Sequence, residues 1–75
     1  MTTLVSDARL NGTVVKLMAD KGFGFIQGDD LKEYFFHRSS VRKGGWAMIS
    51  VNQTVSFIPR LPDKGPRAED VEVLV

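Results

Sequence analysis

The sequence predicts an all-β fold in which five short strands close, or nearly close, into one small barrel. Three observations carry this expectation. Five runs rich in β-branched and aromatic residues are separated by clusters of Gly, Pro, Asn and Asp. No apolar stripe with a 3.6-residue period reaches useful length, so no helix is available to cover an open sheet. The chain has only 75 residues, which fold to roughly 4,600 Å² of surface and leave room for a single core.

The elements follow in order. Met1–Ala8 is small and polar without periodicity and is expected to be a flexible leader to a domain spanning residues 9–75. Gly12–Leu17, with Thr13, Val14 and Val15, is the first strand, and Met18–Lys21 turns the chain. Gly22–Gln27 is the second, and Gly28-Asp29-Asp30 the next turn. Glu33–His37 is the third. Arg38–Ser50, with Gly44-Gly45-Trp46, is too long for a hairpin and reads as an excursion loop. Val51–Ile58 is the fourth strand, ended by Pro59, and Ala68–Val75 the fifth, after a loop holding Pro62 and Pro66.

Composition removes several function classes. With 43% apolar and 25% charged residues the chain suits a folded domain better than a disordered tail. It has no cysteine and one histidine, His37, so neither disulfides nor a metal centre is expected, and no cofactor. The apolar runs are too short to span a membrane, and Asp7 and Arg9 interrupt any signal-like stretch. A cytoplasmic protein without a membrane partner is the resulting expectation. Lys21-Gly-Phe-Gly lacks a phosphate-cradling pattern, and Asp29-Asp30 reads as a solvated turn, so no enzyme is expected. The net charge of +1 does not by itself announce a nucleic-acid binder.

Two segments carry the functional information. In Lys21-Gly-Phe-Gly-Phe-Ile26, alternation sets Phe23 and Phe25 on one face and Gly22, Gly24 and Ile26 on the other. Glycines weaken strand interiors, so either the wall curves tightly over buried rings, or the glycines face a crowded interior and both rings stand outside. In Tyr34-Phe-Phe-His37, Phe35 and His37 share one face and Tyr34 and Phe36 the other. A barrel this small cannot bury both faces. With Phe35 and His37 outside, Phe23, Phe25, Phe35 and His37 form one exposed patch flanked by Lys16. Rings interleaved with cations are what an unpaired strand requires: bases stack on the rings and phosphates meet the charges.

The pairing of Lys21-Gly-Phe-Gly-Phe-Ile26 with Tyr34-Phe-Phe-His-Arg-Ser39 resembles the two ribonucleoprotein-type motifs of the cold-shock domain family. Val55-Ser-Phe57 and Lys64-Gly-Pro66 fall at the family's spacings, and the resemblance runs from about Gly12 to Val71. It implies a five-stranded antiparallel OB-fold barrel that binds single-stranded RNA or DNA. Carried onto this sequence, the stacking platform falls on Phe23, Phe25, Phe35 and His37, with Lys16 and Lys64 as basic contacts. Trp46 occupies the place of a mobile loop aromatic that closes on a base; the residues alone read equally well as a plug over the barrel end. Departures lie in Leu17-Met18-Ala19, where the family has a stacking aromatic and one residue more, so that Leu17 offers only apolar contact. Arg38 stands where a Phe commonly follows the family's His, and its guanidinium plane can stack or bind phosphate. Asp29, Asp30, Glu69, Asp70 and Glu72 are expected to flank the site and oppose a polyanion, so binding should be weaker than in relatives with the full aromatic set.

The leading functional expectation is a non-catalytic, monomeric module that holds unpaired RNA or DNA by stacking, in the manner of an RNA chaperone or regulator of gene expression. The alternative is a barrel of the same fold whose aromatic patch mediates protein interaction or homodimerisation.

Overall fold

The computed structural model describes residues 9–42 and 44–74; the expected leader Met1–Ala8 and the end of the fifth strand at Val75 lie outside the described residues. The strands are β1 (Leu10–Met18), β2 (Phe23–Gly28), β3 (Glu33–His37), β4 (Thr54–Arg60) and β5 (Arg67–Val73). The long excursion after β3 contains two short 3₁₀ turns, Arg38–Ser40 and Trp46–Met48. The strands close into a barrel in the order β1-β2-β3-β5-β4.

The seams β1–β2, β2–β3, β1–β4 and β4–β5 are antiparallel, whereas β3 and β5 run parallel at Phe35↔Arg67. Strand direction cannot alternate around a closed ring of odd number, so the expected antiparallel barrel must contain one parallel seam. It falls between β3 and β5 because each is separated from β1 by one intervening strand in the ring.

Element ends shift for local reasons. β2 starts at Phe23 because Gly22, at φ 80, closes the preceding turn with its N–H on the Met18 carbonyl at 2.9 Å. β4 starts at Thr54 because Asn52, at φ 75, still belongs to a turn in which Gln53 N–H donates to the Ser50 carbonyl at 3.0 Å. Nor does Pro59 end β4, which continues to Arg60 against β5. The β1 pairing of β4 begins at Leu10↔Phe57, so Pro59 lies beyond it and its missing N–H costs no bond on that side.

The core consists of Val14, Ile26, Tyr34, Phe36, Val41, Ile49, Val55, Phe57, Ala68 and Val71, with Leu10, Leu17, Trp46 and Val73 packed at its margin. Tyr34 lies against Phe57 at 4.9 Å between centroids and donates its hydroxyl to Asp30 Oδ2 at 2.6 Å. Burial and that carboxylate push the Tyr34 hydroxyl up to about 12, and the same bond holds Asp30 below the usual carboxylate range.

The decisive close approach is at Gly24. A Cβ there would lie 2.6 Å from the Lys16 carbonyl oxygen and 2.9 Å from Phe36 Cε1. Between the β1 backbone and the Phe36 ring there is space for hydrogen only. Gly24→Ala should therefore destabilise the domain by about 1–3 kcal/mol through overpacking. A urea denaturation midpoint checks this, and a midpoint equal to wild type would refute the tight packing.

Candidate nucleic-acid interface

β2 and β3 pair in the register Phe23↔His37, Gly24↔Phe36, Phe25↔Phe35 and Ile26↔Tyr34. Residues directly opposite each other share a face. Because Gly24, Ile26, Tyr34 and Phe36 are buried, Phe23, Phe25, Phe35 and His37 form the outer face, each half-buried. Their partners are one another. Ring centroids lie 5.6 Å apart for Phe23–Phe35, 5.8 Å for Phe25–Phe35 and 6.2 Å for Phe23–Phe25. His37 Nδ1 accepts the Ser39 backbone N–H at 3.1 Å, which fixes the ring and leaves Nε2 to carry the proton of the neutral form.

Lys16 reaches this face through an irregularity in β1. Counting by twos from buried Val14 would put Lys16 inside. The register instead passes from Val14↔Ile26 to Lys16↔Phe25, so Val15 is the extra residue of a β-bulge and the parity of β1 reverses after it. Lys16 thus stands beside Phe25. Leu17, opposite Gly24, turns inward and packs on the core, contrary to the expectation that it offers apolar contact to a ligand. Met18, opposite Phe23, takes that place, a position the sequence reading did not single out.

Arg38 is exposed, and its stem lies over Gly22, where an added Cβ would meet Arg38 Cδ at 3.3 Å. Lys64 lines a recess of about 310 Å³ with Phe35, His37, Ser39, Gly65, Pro66 and Arg67. Arg67 is the second residue that sequence reasoning missed. Only the parallel seam Phe35↔Arg67 brings it to the platform, and the signal for it was its position directly after Gly65-Pro66. Trp46 stands apart from these groups. Its ring packs edge-on against inward-facing Phe36 at 6.2 Å and is half-buried at the margin of the core.

The acidic residues expected to oppose a polyanion are largely engaged. At Asp70, β5 carries an extra residue against β4, and Asp70 takes φ 50 there. Its carboxylate accepts Arg42 Nε at 2.8 Å and Arg9 from the other side at 2.8 Å. These bonds, Arg42 first and then Arg9, hold Asp70 at about 2. Glu72 lies 3.5 Å from Arg42 and Glu69 lies 3.3 Å from Arg60. Among the described residues no carboxylate lies within ion-pair distance of Lys16, Lys21, Arg38, Lys64 or Arg67. The net charge of +1 conceals this division between arginines paired to carboxylates and cations that have no such partner among the described residues.

Residues 10–74 match the model of the 'Cold-shock' DNA-binding domain. The chain belongs to the cold-shock domain family. It is 41% identical over 61 residues to Cold shock protein 1 of Lactiplantibacillus plantarum, covering 81% of this chain and 92% of that one. It is also 41% identical over 69 residues to Cold shock protein CapB of Pseudomonas syringae pv. tomato, covering 88% and 96%. Among solved structures, drosophila Unr CSD456 superposes with a TM-score of 0.77 at 26% identity, over 92% of this chain, which spans 28% of that larger one. As a cold-shock domain the chain is a nucleic-acid-binding module and not an enzyme.

The Asp70 clamp has a pH signature. A carboxyl held at about 2 in the folded chain against an ordinary 3.8 stabilises the fold above its unfolded value, and the effect is lost as pH falls through the folded one. Asp70→Asn keeps a residue suited to the left-handed backbone, removes the charge and replaces one of the two accepting oxygens with an NH2 donor. It should lower the urea midpoint at pH 7 and flatten the fall in midpoint between about pH 4 and pH 2. A variant as pH-sensitive as wild type in that window would show that Asp70 does not carry the effect.

Proposed function

We propose that this cold-shock domain holds single-stranded RNA or DNA by stacking unpaired bases on Phe23, Phe25, Phe35 and His37, while Lys16, Arg38 and Lys64 meet the phosphates. The observation that supports this reading most strongly is the set of outward phenylalanine rings in mutual contact, bordered by cations that have no carboxylate partner among the described residues. Each base stacked on a ring is worth ~1–3 kcal/mol and any base presents a flat face, so binding tolerates sequence. Association and ordering costs remove much of that sum. Micromolar to high-nanomolar affinity for a short oligonucleotide results, with a salt slope of about −2 for the three cations at ~0.7 each.

Strands held this way are withheld from pairing, which is an RNA-chaperone or regulatory action that needs no chemistry and no cofactor. A monomer working in the cytoplasm suffices for it. In this reading Trp46 rests against Phe36 outside the four-ring platform, and Met18 supplies a flexible thioether beside Phe23 where an aromatic ring would extend it.

The test is the double variant Phe35→Ala/His37→Ala, verified as folded by circular dichroism and titrated with a short pyrimidine oligonucleotide. Removal of two platforms at ~1–3 kcal/mol each predicts a loss of at least about thirtyfold. Wild-type affinity in the folded variant would overturn the proposal. Sedimentation across concentration would then test the patch as a homodimer interface, the reading left in its place.

A further inference from the structure

Arg67 occupies an electrostatically unfavourable position that nothing inside the described structure repays. In the β4–β5 seam it lies directly opposite Arg60. Like charges facing each other across an antiparallel pair destabilise a sheet. Arg60 has Glu69 Oε1 at 3.3 Å, but among the described residues no carboxylate comes within ion-pair distance of Arg67. Its backbone position is fixed, because it is paired to Arg60 on one side and to Phe35 on the other, and Phe35 N–H donates to the neighbouring Pro66 carbonyl at 3.1 Å. A residue that breaks a local rule without an internal return is expected to act on something outside the chain.

The surroundings say what that is. Arg67 shares the recess of about 310 Å³ with Lys64, and the same recess is walled by Phe35 and His37. This volume is at the small end of ligand sites and suits a single nucleotide rather than a folded partner. Aromatic walls suit a base, and an arginine and a lysine lining one recess can donate to a phosphate, which Arg can hold in bidentate fashion. We infer that Arg67, with Lys64, is a phosphate clamp that seats one nucleotide of the bound strand in this recess, and that the sheet retains Arg67 for binding against its own stability. The inference rests on the proposed single-strand binding and adds to it a contact and a trade-off.

The experiment compares wild type, Arg67→Gln and Arg67→Lys in titrations with labelled oligothymidylate at several salt concentrations, together with thermal unfolding of each free protein. Arg67→Gln should weaken binding several-fold and reduce the magnitude of the salt slope by ~0.7, the value of one phosphate contact on a single strand. Arg67→Lys should keep the slope and most of the affinity. The Tm of Arg67→Gln should equal or exceed that of wild type, which a structural role would not allow. Wild-type affinity and slope in Arg67→Gln would overturn the clamp while leaving the stacking proposal intact. A loss that varies with base identity at unchanged slope would likewise overturn the clamp and make Arg67 a reader of bases, and a lower Tm would overturn the trade-off with stability. Failure of wild type itself to bind would remove both proposals together.

Discussion

The closeness of the β1 backbone and the Phe36 ring on either side of Gly24 governs the rest of this molecule. A barrel of five short strands has one interior, and Phe36, Tyr34, Ile26 and Phe57 fill it. With no Cβ at Gly24, Phe36 can lie against the wall of β2, and that commits the opposite face of β2 and β3 to the outside. Phe23, Phe25, Phe35 and His37 are thus excluded from the core by occupancy, although three of them are as apolar as the residues within. Left outside, the phenylalanines cover one another partly and leave the rest of their surface open.

Closure and irregularity then decide which charges join the rings. The parallel seam demanded by an odd ring draws Arg67 to Phe35. The bulge at Val15 reverses the parity of β1, so that Lys16 emerges beside Phe25 while Leu17 is withdrawn. The extra residue at Asp70 has the complementary effect on β5, presenting a carboxylate to Arg9 and Arg42 so that the acids of that strand are answered locally. Packing inside, backbone defects in the wall and charge pairing at the far edge thereby act toward one result, a cationic aromatic face on a chain with almost no net charge.

Much of this was legible in the sequence, and the parts that were not share a cause. The platform could be read because β2 and β3 alternate without defect over Phe23–Gln27 and Glu33–His37, so period-two counting holds. Counting fails where a bulge intervenes. Strict alternation from Val14 would turn Lys16 inward, and Leu17 and Met18 exchange faces because no residue near Val15 announces the extra position. Pro59 misled because a proline penalises a strand only where a neighbour needs its N–H, which depends on where β1 starts. The acids seemed to oppose a ligand because Asp70 meets Arg9 and Arg42 from 61 and 28 residues away, a distance at which local pattern carries no information. Trp46, alone in a Gly-rich loop, supports a loop that closes on a base and a plug equally well, and its edge-on contact with Phe36 is compatible with both.

The central claim is that bases stack on the β2–β3 face and not on Trp46. Proton NMR during addition of a short oligothymidylate tests it most directly, because the rings of Phe23, Phe25, Phe35, His37 and Trp46 report separately. Stacking predicts saturable upfield shifts of the Phe23, Phe25, Phe35 and His37 ring protons, with the Trp46 indole shifting least. Saturable shifts centred on Trp46, with the four platform rings unmoved, would contradict the account.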